Sequence, residues 1–484
     1  MLFTSFEFFA FFVAFFAIYQ LIPTKYKYIA LLIGGYVFYC FSDVKLFFVL
    51  VAISLLSYVG GIVINNHRRK VVLAVFTILE IAILFIFKYL EFMLRIINNI
   101  RALLNQNGGD CSIDLMLPIG LSFIIFQTIT YLVDVYNQKI DVEYNILRYF
   151  TFVAFFPTIL SGPIQKARNI LPQITKPDSF TFEAGRKGIV LFCWGAFEKM
   201  LIANNIYSII STVYGDIDGA SYAMLIIAIF SYSLYIYSDF CAYSDMARGL
   251  ALLLGIDVGV NFRNPYLSVS TSEFWRRWHI SLNDWFVEYV YIPLGGNRKG
   301  TLRKYINMFI VFFLSGMWHG ASYNFVIWGA LNGVFVIIGQ IINPLKTRIA
   351  NTLNIDVNVG SIRLFKRIIV FGLISFTWIF FENGLRDAYL IIRKIVIPQP
   401  LSFFDENLLS ISGSLGTTFM TMLLVVLFCF IQIRRSDEKG LYKTFTNQPI
   451  VVQCVVISFF ICICVLGSYS QIDVQVSQFV YFQF

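Results

Sequence analysis

Apolar residues fill this chain in long runs, and polar residues are confined to short stretches between them. The first run, 6–22, has no basic segment before it and no small-residue cleavage site after it, so we expect a retained membrane span. A helix needs about 20 mostly apolar residues to cross a bilayer. The pattern therefore predicts an all-α polytopic membrane protein with about 11 transmembrane helices plus re-entrant or interfacial helices. The later runs are 28–42, 45–64, 71–90, 115–133, 147–162, 186–206, 221–238, 240–258, 306–319, 322–342, 365–381, 416–433 and 449–467.

Composition supports the membrane class. The 484 residues are 58% hydrophobic and only 13% charged, whereas soluble domains carry about 25% charged residues. Mean hydropathy is +0.73. So much apolar surface cannot be hidden in a water-facing fold, which excludes a soluble enzyme. No linker and no internal repeat interrupts the pattern, so we expect one membrane-embedded domain over 1–484.

The net charge of +9 is explained by the placement of basic residues in short loops. Loops rich in Lys and Arg stay in the cytoplasm. Their positions predict that both chain ends lie outside the cytoplasm. No nucleic-acid-binding motif accompanies the charge. The basic positions are Lys25 and Lys27, then His67, Arg68, Arg69 and Lys70, and finally Arg434, Arg435, Lys439 and Lys443.

The stretch "FFPTILSGPIQ" breaks the helical pattern within an apolar run. Pro157, Gly162 and Pro163 lie close together, and proline removes a backbone donor. Broken backbone at membrane depth persists only against protein or a water-filled cavity. Two interpretations stay open, a span that ends at Ser161 or a re-entrant wall of a cavity.

Aromatic residues recur at helical spacing between Glu273 and Gly300. The predicted helix presents one apolar stripe, while Arg276, Arg277 and Asn283 turn away from much of it. Trp and Arg together favour a helix that lies at the membrane interface. His279 borders the aromatic face, either as a packed structural histidine or as a functional one. The stripe consists of Trp275, Trp278, Leu282, Trp285 and Tyr289.

His319 follows a thoroughly apolar run and is bracketed by Gly316 and Gly320. Ionisable residues at membrane depth usually face a bundle interior or a cavity and indicate function. Small neighbours allow a second backbone or a substrate to approach. A buried, neutral imidazole can accept a proton, as a general base must. The alternative is a structural histidine bonded to a neighbouring helix.

Other polar positions point less clearly to chemistry. Ser238 and Asp239 make the run around them unusually polar, and they either line a hydrophilic tunnel or form helix contacts. The histidines are far apart in sequence, and the cysteines lie mostly in apolar runs, where they behave as small hydrophobes. We therefore expect no metal site.

Several stretches resemble one family. "FWRRWHISLNDWF", "YIPLGGNRKG", "SGMWHGAS" and "FVIWG", in this order, are similar to motifs of the membrane-bound O-acyltransferase family, and most like its bacterial alginate O-acetyltransferase branch. "LPIGLSFIIFQTITYLVDVY", "FFPTILSGPI" and "YSDFCAYSDMARGLALLLGI" agree. The resemblance is strongest over 115–335. One departure is Asn332, where relatives often carry histidine.

The resemblance implies a ring of helices around a central tunnel, with catalytic residues His319 and His279. It places Arg276, Arg277 and Trp278 along the approach to them. His319 would act as general base, and His279 would orient the acceptor or shuttle the proton. The remaining residues of the predicted substrate-binding set are Trp275, Trp318, Asn283, Ser238 and Asp239.

The resemblance also implies the reaction. An acyl group, acetyl by this expectation, comes from a cytoplasmic thioester, either acetyl-CoA or a phosphopantetheine carrier, with no tightly bound cofactor. It passes outward to a cell-surface or secreted polysaccharide through an extracytoplasmic acyltransferase partner. One alternative is D-alanyl transfer to teichoic acid. Another, from a different class, is a polytopic transporter or flippase, which leaves both histidine motifs unexplained.

Overall fold

The computed structural model describes residues 1–41, 44–104, 115–397, 408, 411–435, 445–470 and 479. Within these ranges the secondary structure is helical and no β-strand occurs, which confirms the predicted all-α class. The helices are α1 (Phe6–Leu21), α2 (Lys27–Cys40), α3 (Val44–His67), α4 (Lys70–Leu84), α5 (Leu90–Leu103), α6 (Leu121–Tyr136), α7 (Ile146–Val153), α8 (Ala167–Thr175), α9 (Phe182–Phe197), α10 (Asn204–Gly215), α11 (Tyr222–Leu253), α12 (Thr271–Arg277), α13 (Ile280–Phe286), α14 (Thr301–His319), α15 (Tyr323–Thr352), α16 (Gly360–Glu382), α17 (Leu385–Val396), α18 (Leu415–Arg435) and α19 (Ile450–Ser470).

Three π-helical turns extend helices of the described chain, and two of them join one helix to the next. They cover Phe85–Tyr89, Glu198–Ala203 and Val287–Tyr291. The first joins α4 to α5 and the second joins α9 to α10. Such π-turns often accompany functional positions, because the extra residue re-aims side chains within the helix.

Seven helices of the described chain are long and apolar enough to cross a membrane, and three shorter apolar helices accompany them. The runs 221–238 and 240–258, expected as two segments, form the single helix α11. The chain is thus a multi-pass membrane protein, and the number of about 11 crossings stays a prediction. Lys439 and Lys443, used above to orient the last span, lie outside the described residues.

The chain divides into two compact units. The first comprises Met1–Phe192, Met246–Gly259 and Gly320–Ser322. The second comprises Cys193–Asp245, Val260–His319 and Tyr323–Phe484. The expectation of one domain over the whole chain stays a prediction.

The first unit is organised around α6, which is buried along nearly its whole length. Asp134 at its end accepts hydrogen bonds from Arg168 at 3.1 and 3.2 Å. Helix α7 ends at Val153, and residues 154–164 continue as buried, non-helical backbone. The irregular segment predicted around Pro157 is therefore present, and it begins earlier than Ser161.

The second unit contains the helical hairpin of α14 and α15. Gly316 and Gly329 face each other across this hairpin. A Cβ added to Gly329 would lie 2.5 Å from the carbonyl oxygen of Phe312 and 2.9 Å from Cα of Gly316. The missing side chains allow the two backbones to touch, which is how small residues pack helices inside membranes.

We predict that Gly329→Ala destabilises the protein, because the new methyl group meets backbone atoms that cannot move aside. Overpacking of this kind costs about 1–3 kcal/mol. Gly372→Ala on α16 is a matched control, because its Cβ would meet no atom within 4 Å. The measurement is the melting temperature of the purified protein in detergent. The packing account is wrong if the two variants melt together.

Candidate active site

The local fold around His279 begins with the capping of α12. Ser270 accepts a hydrogen bond from the backbone N–H of Glu273 at 3.1 Å, and Glu273 accepts one from the N–H of Val269 at 2.9 Å. This arrangement resembles a capping box and fixes the start of the helix. Arg277, one turn later, forms an ion pair with Glu273 at 2.6 Å.

The continuous helix predicted across the aromatic stripe is wrong. Helix α12 ends at Arg277, and His279 adopts left-handed backbone angles, φ 43° and ψ 56°, before α13 starts at Ile280. This conformation is unfavourable for a residue with a Cβ and persists only where surrounding contacts enforce it. The break therefore sets the direction of the His279 imidazole separately from the stripe.

A neighbouring segment holds the break in place by hydrogen bonds. The backbone N–H of Ile280 donates to the carbonyl oxygen of Asn261 at 2.9 Å. The N–H of Arg263 donates to the carbonyl oxygen of Arg277 at 2.9 Å. These two bonds flank Trp278 and His279, so the segment 261–263 fixes the backbone on both sides of the turn.

The His279 side chain is packed on aromatic rings. It is 2% exposed, with its ring centre 4.7 Å from that of Phe240 and 6.2 Å from that of Trp318. Burial lowers the pKa of His279 to about 3, since the protonated imidazole would lose its hydration. The imidazole is therefore neutral at physiological pH because it is buried.

His319 is the last residue of α14 and is 3% exposed. Its ring centre lies 4.9 Å from that of Trp318, 5.0 Å from Trp328 and 5.2 Å from Phe381, each edge-to-face. The imidazole is therefore fixed in direction by rings from α14, α15 and α16. Edge-to-face packing of this type is the preferred geometry of aromatic pairs.

His279 and His319 line the same small cavity, which has a volume of about 30 Å³. Helices α12, α13 and α14 form its wall. The other lining residues are Trp275, Trp278, Leu282, Asn283, Phe286, Val311, Phe312 and Ser315. A mostly apolar pocket with a few converging polar groups is the usual form of a small-molecule site. Two imidazoles forty residues apart in sequence thus meet at one site.

The predicted site residues fall into two groups. Trp275, Trp278 and Asn283 line the cavity with the two histidines, and Trp318 packs against both imidazole rings. The others do not line it. Arg276 is exposed, and Arg277 is held by Glu273.

Ser238 and Asp239 lie on α11 and are also outside the cavity lining. The Ser238 hydroxyl donates to the carbonyl oxygen of Tyr235 at 3.1 Å. Asp239 forms an ion pair with Lys199 at 2.6 Å, with both side chains almost fully buried. Lys199 belongs to the π-turn after α9. A buried pair of this kind joins two helices, which is one of the two roles the sequence left open.

A buried acidic group lies near this ion pair. Three buried residues each offer one atom of a kind that binds metal ions, and these atoms lie within 4.8 Å of one another. The residues are Glu198, Cys241 and Asp245. Cys241 Sγ is 4.0 Å from a carboxylate oxygen of Asp245, and Gln432 donates to Glu198 at 2.9 Å. The arrangement fits an internal polar cluster, and the absence of a metal site stays a prediction.

Sequence reasoning missed several members of the site. Ser315 precedes His319 by four residues on α14, so helical spacing alone places it on the same face. Asn261 is different. It contacts His279 from a loop 18 residues away, and no periodic signal in the sequence indicates that contact.

Comparison with known proteins gives evidence on the family that is independent of the site geometry. The profile of the MBOAT, membrane-bound O-acyltransferase, family matches residues 77–381. A probable alginate O-acetylase AlgI of Azotobacter vinelandii is 31% identical over 387 residues, covering 78% of this chain and 74% of that protein.

Two further relatives are named for acyl transfer to other polymers. A peptidoglycan O-acetyltransferase of Helicobacter pylori is 29% identical over 76% of this chain and 73% of that protein. A teichoic acid D-alanyltransferase of Bacillus subtilis is 27% identical over 45% of this chain and 58% of that protein. The family profile and the alginate-type relative both cover the cavity residues and most of the chain. The chain therefore belongs to the membrane-bound O-acyltransferase family and is a multi-pass membrane O-acyltransferase.

Proposed function

We propose that this enzyme moves an acetyl group from a cytoplasmic thioester across the membrane for O-acylation of a cell-surface or secreted polysaccharide. The observation that carries the proposal is that His279 and His319, both buried, line one cavity. Support for acetyl comes from the alginate- and peptidoglycan-type relatives, which match more of the chain than the D-alanyl type does.

The proposed chemistry is a single acyl exchange. A hydroxyl oxygen of the acceptor attacks the thioester carbonyl, a C–O bond forms, and the C–S bond breaks. His319 takes the hydroxyl proton as general base and returns a proton to the departing thiolate. His279 orients the acceptor or relays that proton. Asn283 and Ser315 also line the cavity, where hydrogen-bond donors are needed for the developing oxyanion.

The residues around His279 and His319 favour acyl transfer because they exclude water from the reacting groups. The cavity wall is mostly apolar, and both imidazoles are nearly inaccessible to solvent. Exclusion of water strengthens each polar contact made to the reacting carbonyl and protects the thioester from hydrolysis. Neither donor form, acetyl-CoA or a phosphopantetheine carrier, requires a tightly bound cofactor or a metal for this step.

We further propose where the enzyme lies and which protein it works with. We place the chain in a bacterial cytoplasmic membrane with its N-terminus outside, as the basic loops indicate. A ring of helices with a central tunnel would let the donor approach from the cytoplasm and the acceptor from outside. An extracytoplasmic acyltransferase partner would then deliver the group to the polymer.

D-alanyl transfer to teichoic acid is the second candidate. The D-alanyltransferase relative supports it, since it matches 45% of the chain at 27% identity. The same two histidines would act on a D-alanyl thioester. The two candidates differ in the acyl group and not in the attack on the carbonyl.

We predict that His319→Ala lowers polymer acetylation at least a hundredfold, because a positioned general base contributes about 10² to 10⁴ in rate. The measurement is alkali-labile acetate released from the surface polymer. His67→Ala is the matched control, because His67 is exposed at the end of α3. Membrane abundance is measured for both. Wild-type acetylation in a normally abundant His319→Ala protein would show that His319 is not catalytic.

We predict that inverted membrane vesicles transfer label from [¹⁴C]acetyl-CoA to an alkali-labile ester, because the proposed donor site faces the cytoplasm. Vesicles carrying His319→Ala should transfer none. Sealed right-side-out vesicles should transfer none until they are permeabilised. Transfer that requires D-alanine on a phosphopantetheine carrier, with acetyl-CoA inert, would favour the second candidate instead.

A further inference from the structure

We propose that Asn261 is a positioning residue that sets the tautomer of His279 and so decides which imidazole nitrogen takes part in the reaction. This inference rests on the proposed catalytic role of His279. It is carried by a cluster of hydrogen bonds around the Asn261 amide oxygen, which faces Nδ1 of the imidazole.

The orientation of the Asn261 amide is determined by its neighbours. Its oxygen, Oδ1, lies 3.2 Å from the backbone N–H of Ser281 and 2.9 Å from the Ser281 hydroxyl. A backbone N–H can only donate, so the atom facing it must be the amide oxygen. The amide nitrogen donates to the Ser244 hydroxyl at 3.2 Å. The side chain, 3% exposed, is therefore held from both ends.

The same oxygen determines the proton position on His279. Nδ1 of His279 lies 3.3 Å from Asn261 Oδ1. An amide oxygen carries no hydrogen and can only accept, so Nδ1 carries the hydrogen and donates. In the neutral ring the lone pair then resides on Nε2. Nε2 becomes the nitrogen that can accept a proton or a hydrogen bond from an attacking hydroxyl.

Asn261 also supports the backbone that aims the ring. Its carbonyl oxygen accepts the N–H of Ile280 at 2.9 Å, directly after the left-handed turn at His279. One residue thus holds the turn through its main chain and the imidazole through its side chain. Histidines that serve as ligands or bases are commonly oriented by a partner of this kind on the opposite nitrogen.

Charged groups on the elements packed around His279 also affect its protonation. Phe240 on α11, the 261–263 loop and Trp318 on α14 pack against the ring, in addition to α12 and α13. Asp239 is paired with Lys199 and Glu273 with Arg277. The ionisable side chains carried by these helices include Asp239, Asp245, Glu273, Arg277, Asp284 and His319.

Asn261→Asp tests the proposal, because it keeps the shape and the accepting oxygen while it adds a negative charge beside Nδ1. Three donors face that position, namely the N–H and the hydroxyl of Ser281 and Nδ1 of His279, and they favour the ionised carboxylate. The carboxylate stabilises the imidazolium and so raises the pKa of His279. Protonation at Nε2 therefore begins at a higher pH in the variant than in the wild-type protein.

The measurement is the pH profile of [¹⁴C]acetyl transfer in inverted vesicles. The expected result is that the acid limb of kcat/KM moves up by at least one pH unit, a tenfold loss on that limb, with activity recovering at higher pH. Asn205→Asp is the matched control, because the Asn205 amide donates to the carbonyl oxygen of Leu201 on a half-buried helix face. Its acid limb should stay in place.

Asn261→Ala provides a second readout if the aspartate variant does not accumulate. Loss of the oriented tautomer should lower kcat at least tenfold while KM for acetyl-CoA is unchanged. A purely structural role would lower activity by one factor at every pH in Asn261→Asp. That result, or a wild-type kcat in Asn261→Ala, would overturn the proposal.

His279→Ala separates this proposal from the proposed function. A fully active His279→Ala protein would remove the catalytic role of His279, and the positioning proposal would fail with it. An inactive His279→Ala protein combined with an unmoved acid limb in Asn261→Asp would retain the function and refute only the role of Asn261.

Discussion

The left-handed backbone at His279 is the constraint on which the cavity depends. It ends α12, starts α13 and aims an imidazole independently of the helical stripe on either side. A conformation that costs about 1–2 kcal/mol needs surrounding contacts to persist. Here the bonds from the 261–263 segment supply those contacts. If α12 and α13 were one straight helix, His279 would follow the stripe and not the direction set by Asn261.

The second histidine is placed by different means. His319 ends α14, and the hairpin of α14 and α15 is tightened by direct backbone contact at Gly316 and Gly329. Rings from three helices then fix the imidazole. Trp318 packs against both histidines, so a rigid indole connects a site built on a helix break with a site built on close helix packing. An acyl transfer site benefits from this rigidity, because reacting groups must be held at fixed separations.

The sequence predicted much of this architecture, for identifiable reasons. Long apolar runs have one stable outcome in a membrane, so the all-α class and the multi-pass character followed from hydropathy. The two histidines stood out because ionisable residues are rare in such runs. The family resemblance, which the comparisons confirm, joined them into one hypothesis and disfavoured a transporter.

Other features could not be read from the sequence. The helix break at His279 contradicts the 3–4 spacing of the stripe, and it depends on hydrogen bonds from a loop 18 residues upstream. Ser238 and Asp239 looked alike in sequence, yet one bonds within its own helix and the other pairs with Lys199. Non-local contacts decided the helix break and the pairing of Asp239.

The most direct test of the central claim is a cryo-EM structure with a non-cleavable ketone analogue of acetyl-CoA. Our account predicts the ketone carbonyl between His279 and His319 in the cavity, and an analogue bound reproducibly elsewhere, away from both imidazoles, would contradict it.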